Sequence, residues 1–412
     1  MIRSSGENLM KDSCAFPGML LIAGMLAIAT PAGADPAFDQ WVREFLPVAR
    51  ANNISDVVFE RAFDGIAPDP EILAAAENQA EFVKAIWDYM DSAVSQTRIL
   101  NGKAKIAAFE RDLAAIEEKW GVDRAILVAI WGIESSYGGI LDNPVIVKSV
   151  IRSLATLAYQ GGVRARFGHT QLLAALKILE NGDTTPDRLT GSWAGAMGHT
   201  QFIPTTYLAY AADYDGDGRR DIWNSPQDAL ASAANYLAAS GWQRGKSWGY
   251  EVRVVETFDY GLADGKTVKS IQNWLNNGIS LIEGNKFVPM HDEARLFLPA
   301  GSSGPAFLLL KNFDVIKRYN NADAYALAIG HLADQIKGGG PIRATWPRAL
   351  KPLSRVQIEE LQRLLTQKGF DAGGVDGLLG PKSRAALRAY QRASGKIPDG
   401  FATEQLLVEL RS

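Results

Sequence analysis

Apolar residues recur at helical spacing through most of the chain. In FDQWVREFLPVARA the positions Phe38, Trp41, Val42, Phe45, Leu46 and Ala49 fall on one face of a 3.6-residue period. A second helical stretch is EFVKAIWDYMDSAVSQTRIL and a third is KIAAFERDLAAIEEKW, and further helices are predicted over 146–180, 225–240 and 313–336. Between two of these lies GSWAGAMGHTQFIPTTY, Gly191 to Tyr207, which reads as a glycine-rich loop with a short helix. From 251 to 310 the texture changes to strands in VRVVETF, ARLFLPAG and PAFLLLK, separated by a helical KSIQNWLNNG. KGGGPIRATWPRALKP follows and reads as a flexible linker. The tail carries two loosely similar units, VDGLLGPKS and PDGFATEQ, each a turn leading into a helix.

One stretch departs from the amphipathic rule. In GVDRAILVAIWGIESSYGG, Gly121 to Gly139, the residues Ala125 to Trp131 and Ile133 are apolar nearly all round. That belongs inside a domain. Asp123 is placed to cap its start, and Gly138 to end it in the left-handed conformation. Glu134 sits one turn before that end. Burial raises a carboxyl pKa, and a raised pKa suits a general acid at neutral pH. The window alone leaves open an exposed glutamate at a fraying helix end.

Composition narrows the partners. A net charge of −3 gives no basic surface for nucleic acid. Ten tryptophans suit a cleft for sugar rings. The one cysteine, Cys14, excludes an intrachain disulfide or a cysteine metal cluster. Residues 1–34 read as a signal peptide: an apolar run from Phe16 to Thr30, then Ala32-Gly33-Ala34, with cleavage expected after Ala34. Cys14 precedes the apolar run, so no membrane anchor is expected, and the mature protein would be exported and periplasmic.

DYDGDGRRDIWN, Asp213 to Asn224, fits the opening of a calcium loop. Asp213, Asp215, Asp217, the Arg219 carbonyl and Asp221 occupy ligand places. Asn224 stands where a bidentate glutamate is usual, so a weak, structural Ca2+ is expected.

The motifs WGIESSYG, GSWAGAMGHTQFIPTTY, ANYL and RYNNADAYALAIG resemble those of the B-type lytic murein transglycosylases. LQRLL, VDGLLGPKSRAALRAYQ and IPDG resemble the type-one peptidoglycan-binding domain. The resemblance implies a mainly α (α+β) protein with a lysozyme-like catalytic core, an added helical domain, a small β insertion and a small helical C-terminal module. The boundaries are then 35–336 for the catalytic region (35–120 helical, 121–250 and 311–336 core, 251–310 strand-rich), 337–352 for the linker and 353–412 for the binding module. By the same resemblance Glu134 is the catalytic acid/base. Ser192, Gln201, Phe202, Tyr236, Tyr319, Asn320, Tyr325, Tyr89 and Arg164 are substrate-binding. The family has two adjacent arginines where this chain reads YQGGVRARF, with Val163 in place of one. His199 stands at a variable place and is given no role.

The reaction so implied is non-hydrolytic cleavage of the MurNAc–GlcNAc bond of peptidoglycan, leaving 1,6-anhydro-MurNAc ends. Glycosidases ordinarily pair two carboxylates, and Asp142 follows too closely on Glu134 to be assigned as a partner. A hydrolytic muramidase and a non-catalytic wall-binding scaffold are the alternatives. Glycan strands are the expected partner, with other cell-wall enzymes as further candidates, and no cofactor is required for the chemistry.

Overall fold

The computed structural model describes residues 35–78, 84–282 and 288–412. The expected leader, its cleavage point and Cys14 lie outside the described residues. Among those described, no helix is long and apolar enough to cross a membrane. The described residues divide into two units, one of 35–78 with 96–244, the other of 84–95 with 245–412.

The first unit is helical. Helix Pro36–Ala51 begins where Asp35 accepts from the N–H groups of Ala37 and Phe38. Its apolar stripe buries Phe38, Phe45 and Ala49. Helix Arg124–Ser135 is the core: Ala125 to Trp131 are each 2% exposed or less. Helices Glu110–Trp120 and Gln96–Ala108 pack on it, and Pro226–Ala239 joins them. A two-stranded antiparallel sheet pairs Lys148–Ser149 with Thr190–Gly191, and so ties the start of helix Val150–Gln160 to the glycine-rich loop.

The second unit holds a five-stranded antiparallel sheet. Its spatial order is Val268–Ser270, Glu293–Phe297, Ala306–Leu309, Gly249–Val254, Ile279–Leu281. Trp274, fully buried against one face, donates its indole N–H to the Ala294 carbonyl at 2.8 Å. Helices Lys311–Tyr319 and Asp323–Ile336 follow the sheet.

The C-terminal module is three helices, Arg355–Gln367, Pro381–Ala393 and Glu404–Arg411, around Leu361, Leu365, Leu387 and Leu407. Its two similar turns share one physical device. Gln362 donates to Asp376 at 2.8 Å and accepts from the N–H of Gly377 at 3.0 Å. Gln391 does the same for Asp399 and Gly400, both at 2.8 Å. Both glutamines are buried, so each Asp-Gly turn is clamped from the core.

Several elements differ from expectation. The stretch 81–100 is not one helix: Ile86–Ala93 ends, and Gln96–Ala108 starts anew. The third stretch breaks at Phe109, and the 313–336 helix breaks at Asn320. The linker is pinned and not free. Glu251 accepts from the N–H groups of Arg343 and Ala344, Arg348 pairs with Asp91 at 2.6 Å, and Trp346 packs on Trp87. Proline stiffens such a segment, and these contacts hold it in place.

Candidate active site

Glu134 lies half-buried in the last turn of helix Arg124–Ser135. Asp123 caps the start as expected, accepting from Ala125 N–H at 2.8 Å. The end does not come at Gly138. The helix stops at Ser135, and Ser136 and Tyr137 take φ of 51° and 61° before Gly138 at 86°. A non-glycine left-handed residue costs about 1–2 kcal/mol, so something must hold two in succession. Tyr137 is the holder: its ring folds back over Gly132, and its hydroxyl donates to the Arg98 carbonyl at 2.8 Å. Arg98 in turn donates to the Gly132 carbonyl at 3.0 Å. A Cβ on Gly132 would lie 2.5 Å from the Tyr137 ring, which explains that glycine. The strained turn therefore sits directly after the carboxylate, a common arrangement at functional sites.

The glycine-rich loop docks on the same turn. Trp131 donates its indole N–H to His199 Nδ1 at 3.0 Å, and Ser135 Oγ donates to the His199 carbonyl at 2.7 Å. Burial holds the His199 pKa down to about 4, so the ring is neutral. The loop is closed by bridges from Met197 to Gly191 and to Phe202. Inside it, Ser192 Oγ accepts from the N–H groups of Ala194 at 3.3 Å and Ala196 at 3.1 Å. Those bonds occupy acceptor capacity and leave the hydroxyl as a donor. Gln201 is half-buried with φ of 53°, its amide donating to the Gly198 carbonyl at 2.9 Å. Arg164 lies over the ring of Trp193 at 5.1 Å, beside Ser192 in sequence.

Glu134, Ser192, Gln201 and Arg164 thus belong to one unit, with the loop of Ser192 and Gln201 fastened to the Glu134 turn. Phe202 and Tyr236 are in this unit too, but they are buried at 2% and 6% exposure and packed edge to face. Tyr89, Tyr319, Asn320 and Tyr325 belong to the other unit. Tyr89 and Tyr319 are half-buried and Tyr325 is buried. Asn320 is 6% exposed and its Oδ1 has no hydrogen-bond partner among the described residues. Asp142 is exposed.

In the acidic loop, carboxylate oxygens of Asp213, Asp215 and Asp217 come within 4.8 Å of one another. Each also accepts a backbone N–H within the loop, so the oxygens are aimed inward by the turn itself. Asn224 donates its amide to Asp221 and would have to turn over to offer an oxygen. Behind the loop sits Asp228, 1% exposed, accepting from Tyr214 N–H at 2.9 Å and Asp221 N–H at 2.8 Å. Burial pushes its pKa up to about 6 despite those two bonds. Asp228 and His199 escaped the sequence reading. The Ser225-x-x-Asp228 spacing announced a helix cap but not burial. Only the apolar neighbours Ala196 and Met197 hinted that His199 is inside.

Known families and structures resemble the chain over most of its length. Residues 37–334 match the family described as Transglycosylase SLT domain, and 354–410 match Putative peptidoglycan binding domain. The membrane-bound lytic murein transglycosylase B of Escherichia coli K12 is 30% identical over 302 residues, 72% of this chain and 78% of that one. The crystal structure of SltB3 from Pseudomonas aeruginosa in complex with NAG-anhNAM-pentapeptide is similar with a TM-score of 0.87 and 49% identity, over 91% of this chain and 99% of that one. The Escherichia coli lytic transglycosylase Slt35 in complex with calcium is similar with a TM-score of 0.60 and 27% identity, over 73% and 93%.

Proposed function

The chain belongs to the SLT transglycosylase family and is a lytic transglycosylase acting on peptidoglycan; from that premise we propose that Glu134 is its single acid/base. Glu134 protonates the oxygen between MurNAc and GlcNAc, and the C1–O bond breaks. The MurNAc 2-acetamido group stabilises the positive charge left at C1. The ionised Glu134 then takes the proton of the C6 hydroxyl, whose oxygen closes on C1 as the 1,6-anhydro ring. Atoms balance without water: one bond to C1 is lost and one gained, and the carboxyl ends protonated.

The observation that carries this reading is a half-buried carboxylate in the last turn of helix Arg124–Ser135, followed at once by a left-handed turn, with Asp142 exposed on the loop beyond. One carboxyl suffices when the substrate brings its own nucleophile, whereas hydrolysis by inversion needs a second carboxylate to activate water. Ser192 serves as donor to the reacting sugar, and Gln201 and Arg164 as polar contacts beside it. Phe202 and Tyr236 back the cleft through their ring edges. In the other unit Tyr89, Tyr319, Asn320 and Tyr325 are assigned to the glycan. The unpaired Oδ1 of Asn320 supports that assignment, since a buried acceptor without a partner is costly unless a ligand completes it.

Asp213, Asp215, Asp217, the Arg219 carbonyl, Asp221 and Asn224 would hold Ca2+. Its role is to offset their mutual repulsion and fix the loop, and it supplies no chemistry. Asp228 holds both ends of that loop. The protein is exported to the periplasm, with residues 1–34 as leader. Digestion of purified sacculi tests the reaction: mass spectrometry should find muropeptides one water lighter than reducing-end products. Reducing ends alone would identify a muramidase.

A further inference from the structure

We propose that His199 is a positioning residue for Glu134, an inference that rests on the acid/base reading above and deepens it. His199 joins three elements at once. Its backbone N–H donates to the Ile222 carbonyl at 2.9 Å, at the end of the acidic loop. Its carbonyl accepts from Ser135, the neighbour of Glu134. Its Nδ1 accepts from Trp131, one turn earlier on the same helix. Ser135 Oγ also accepts from Gly138 N–H at 3.1 Å, which closes the turn around the carboxylate. A Cβ on Gly138 would meet the His199 ring at 2.5 Å, so ring and turn are in contact.

The side chain has a specific part in this. Trp131 is boxed by Lys105 over its face at 4.9 Å and by the edges of Phe109, Tyr137 and His199. Its buried N–H donates to His199 Nδ1. Without it a buried donor is left unpaired, which is costly. The turn relieves that by shifting, and Glu134 shifts with it. A displacement of about 1 Å at a reacting group costs on the order of a hundredfold in rate. The loop that carries Ser192 and Gln201 is fastened at the same point, so acid and sugar contacts are set by one residue.

Substitution of one acceptor for another isolates this part. Asparagine places Oδ1 near the position of Nδ1 and keeps the bond to Trp131, whereas leucine fills the space without an acceptor. On soluble murein glycan fragments, His199→Leu should lower kcat by about tenfold to a hundredfold with KM within about twofold. His199→Asn should return kcat to within about threefold of wild type. Wild-type kcat in His199→Leu, or His199→Asn no better than His199→Leu, would overturn the proposal. Should His199→Leu fail to fold, Trp131→Phe removes the donor and keeps a ring: the same loss of kcat supports the proposal, and an unchanged kcat overturns it. Glu134→Gln is run beside them. If it is fully active, the acid/base reading itself is wrong. If it is inactive while His199→Leu is fully active, only the positioning role fails.

Discussion

Glu134 owes its setting to its neighbours in WGIESSYG. Trp131 and Ser135 fasten the helix end to His199, Gly132 makes room for the Tyr137 ring, and Gly138 makes room for the imidazole. A methyl group at residue 132 would be driven into Tyr137, and overpacking of this kind costs about 1–3 kcal/mol. Gly132→Ala should therefore lower the melting temperature and reduce activity, as read by calorimetry and product release; a variant with unchanged melting temperature would show the contact to be slack. The carboxylate was legible in the sequence because a charge stood in an apolar run. The left-handed Ser136 and Tyr137 were not, because local preference argues against them and the hydroxyl bond to Arg98, 39 residues away, decides.

At the scale of elements, the acidic loop and the module's turns follow one rule: a buried polar side chain clamps an exposed turn. Asp228 clamps the calcium-type loop, and Gln362 and Gln391 clamp the Asp-Gly turns. The three converging aspartates repel one another without a cation. If free Ca2+ exceeds its dissociation constant a hundredfold, binding adds about 2.7 kcal/mol. EDTA should then lower the melting temperature by about 5–11 °C, and Asp215→Asn should abolish that response. A melting curve indifferent to both chelator and Ca2+ would remove the metal. The near-repeat of turn and helix was readable, but its cause was not, since the clamping glutamines lie 14 and 8 residues from their aspartates. Helix breaks at Phe109 and Asn320 were equally hidden, because the apolar period continues across them. The edge strands Val268–Ser270 and Ile279–Leu281 have three residues each, too few to show alternation.

At the scale of the molecule, the strand-rich part and the C-terminal module lie in one unit. Asp399 accepts from the N–H of Ser302 at 2.9 Å and from its hydroxyl at 3.1 Å, so a module turn is bonded to the end of the short strand Pro299–Ser302. Trp346 and Arg348 hold the connecting segment along the way. Composition pointed to a tether because glycine and proline mark both free and pinned segments; only the partners Glu251, Asp91 and Trp87 distinguish them. Limited proteolysis should leave 337–352 intact in the wild type and cut it in a Trp346→Ala, Arg348→Ala double variant. Equal cutting of both would mean the segment is free.

On the proposed mechanism, the overall reaction turns on one carboxyl group that gives a proton and takes another. The most direct measurement compares wild type and Glu134→Gln on purified sacculi, with released anhydro-muropeptides counted by mass spectrometry and retained protein by co-sedimentation. Loss of a general acid ordinarily costs about 10²–10⁴-fold in rate, so release should fall by at least that much while co-sedimentation is unchanged. Anhydro-muropeptides released by the glutamine variant at the wild-type rate would contradict the assignment.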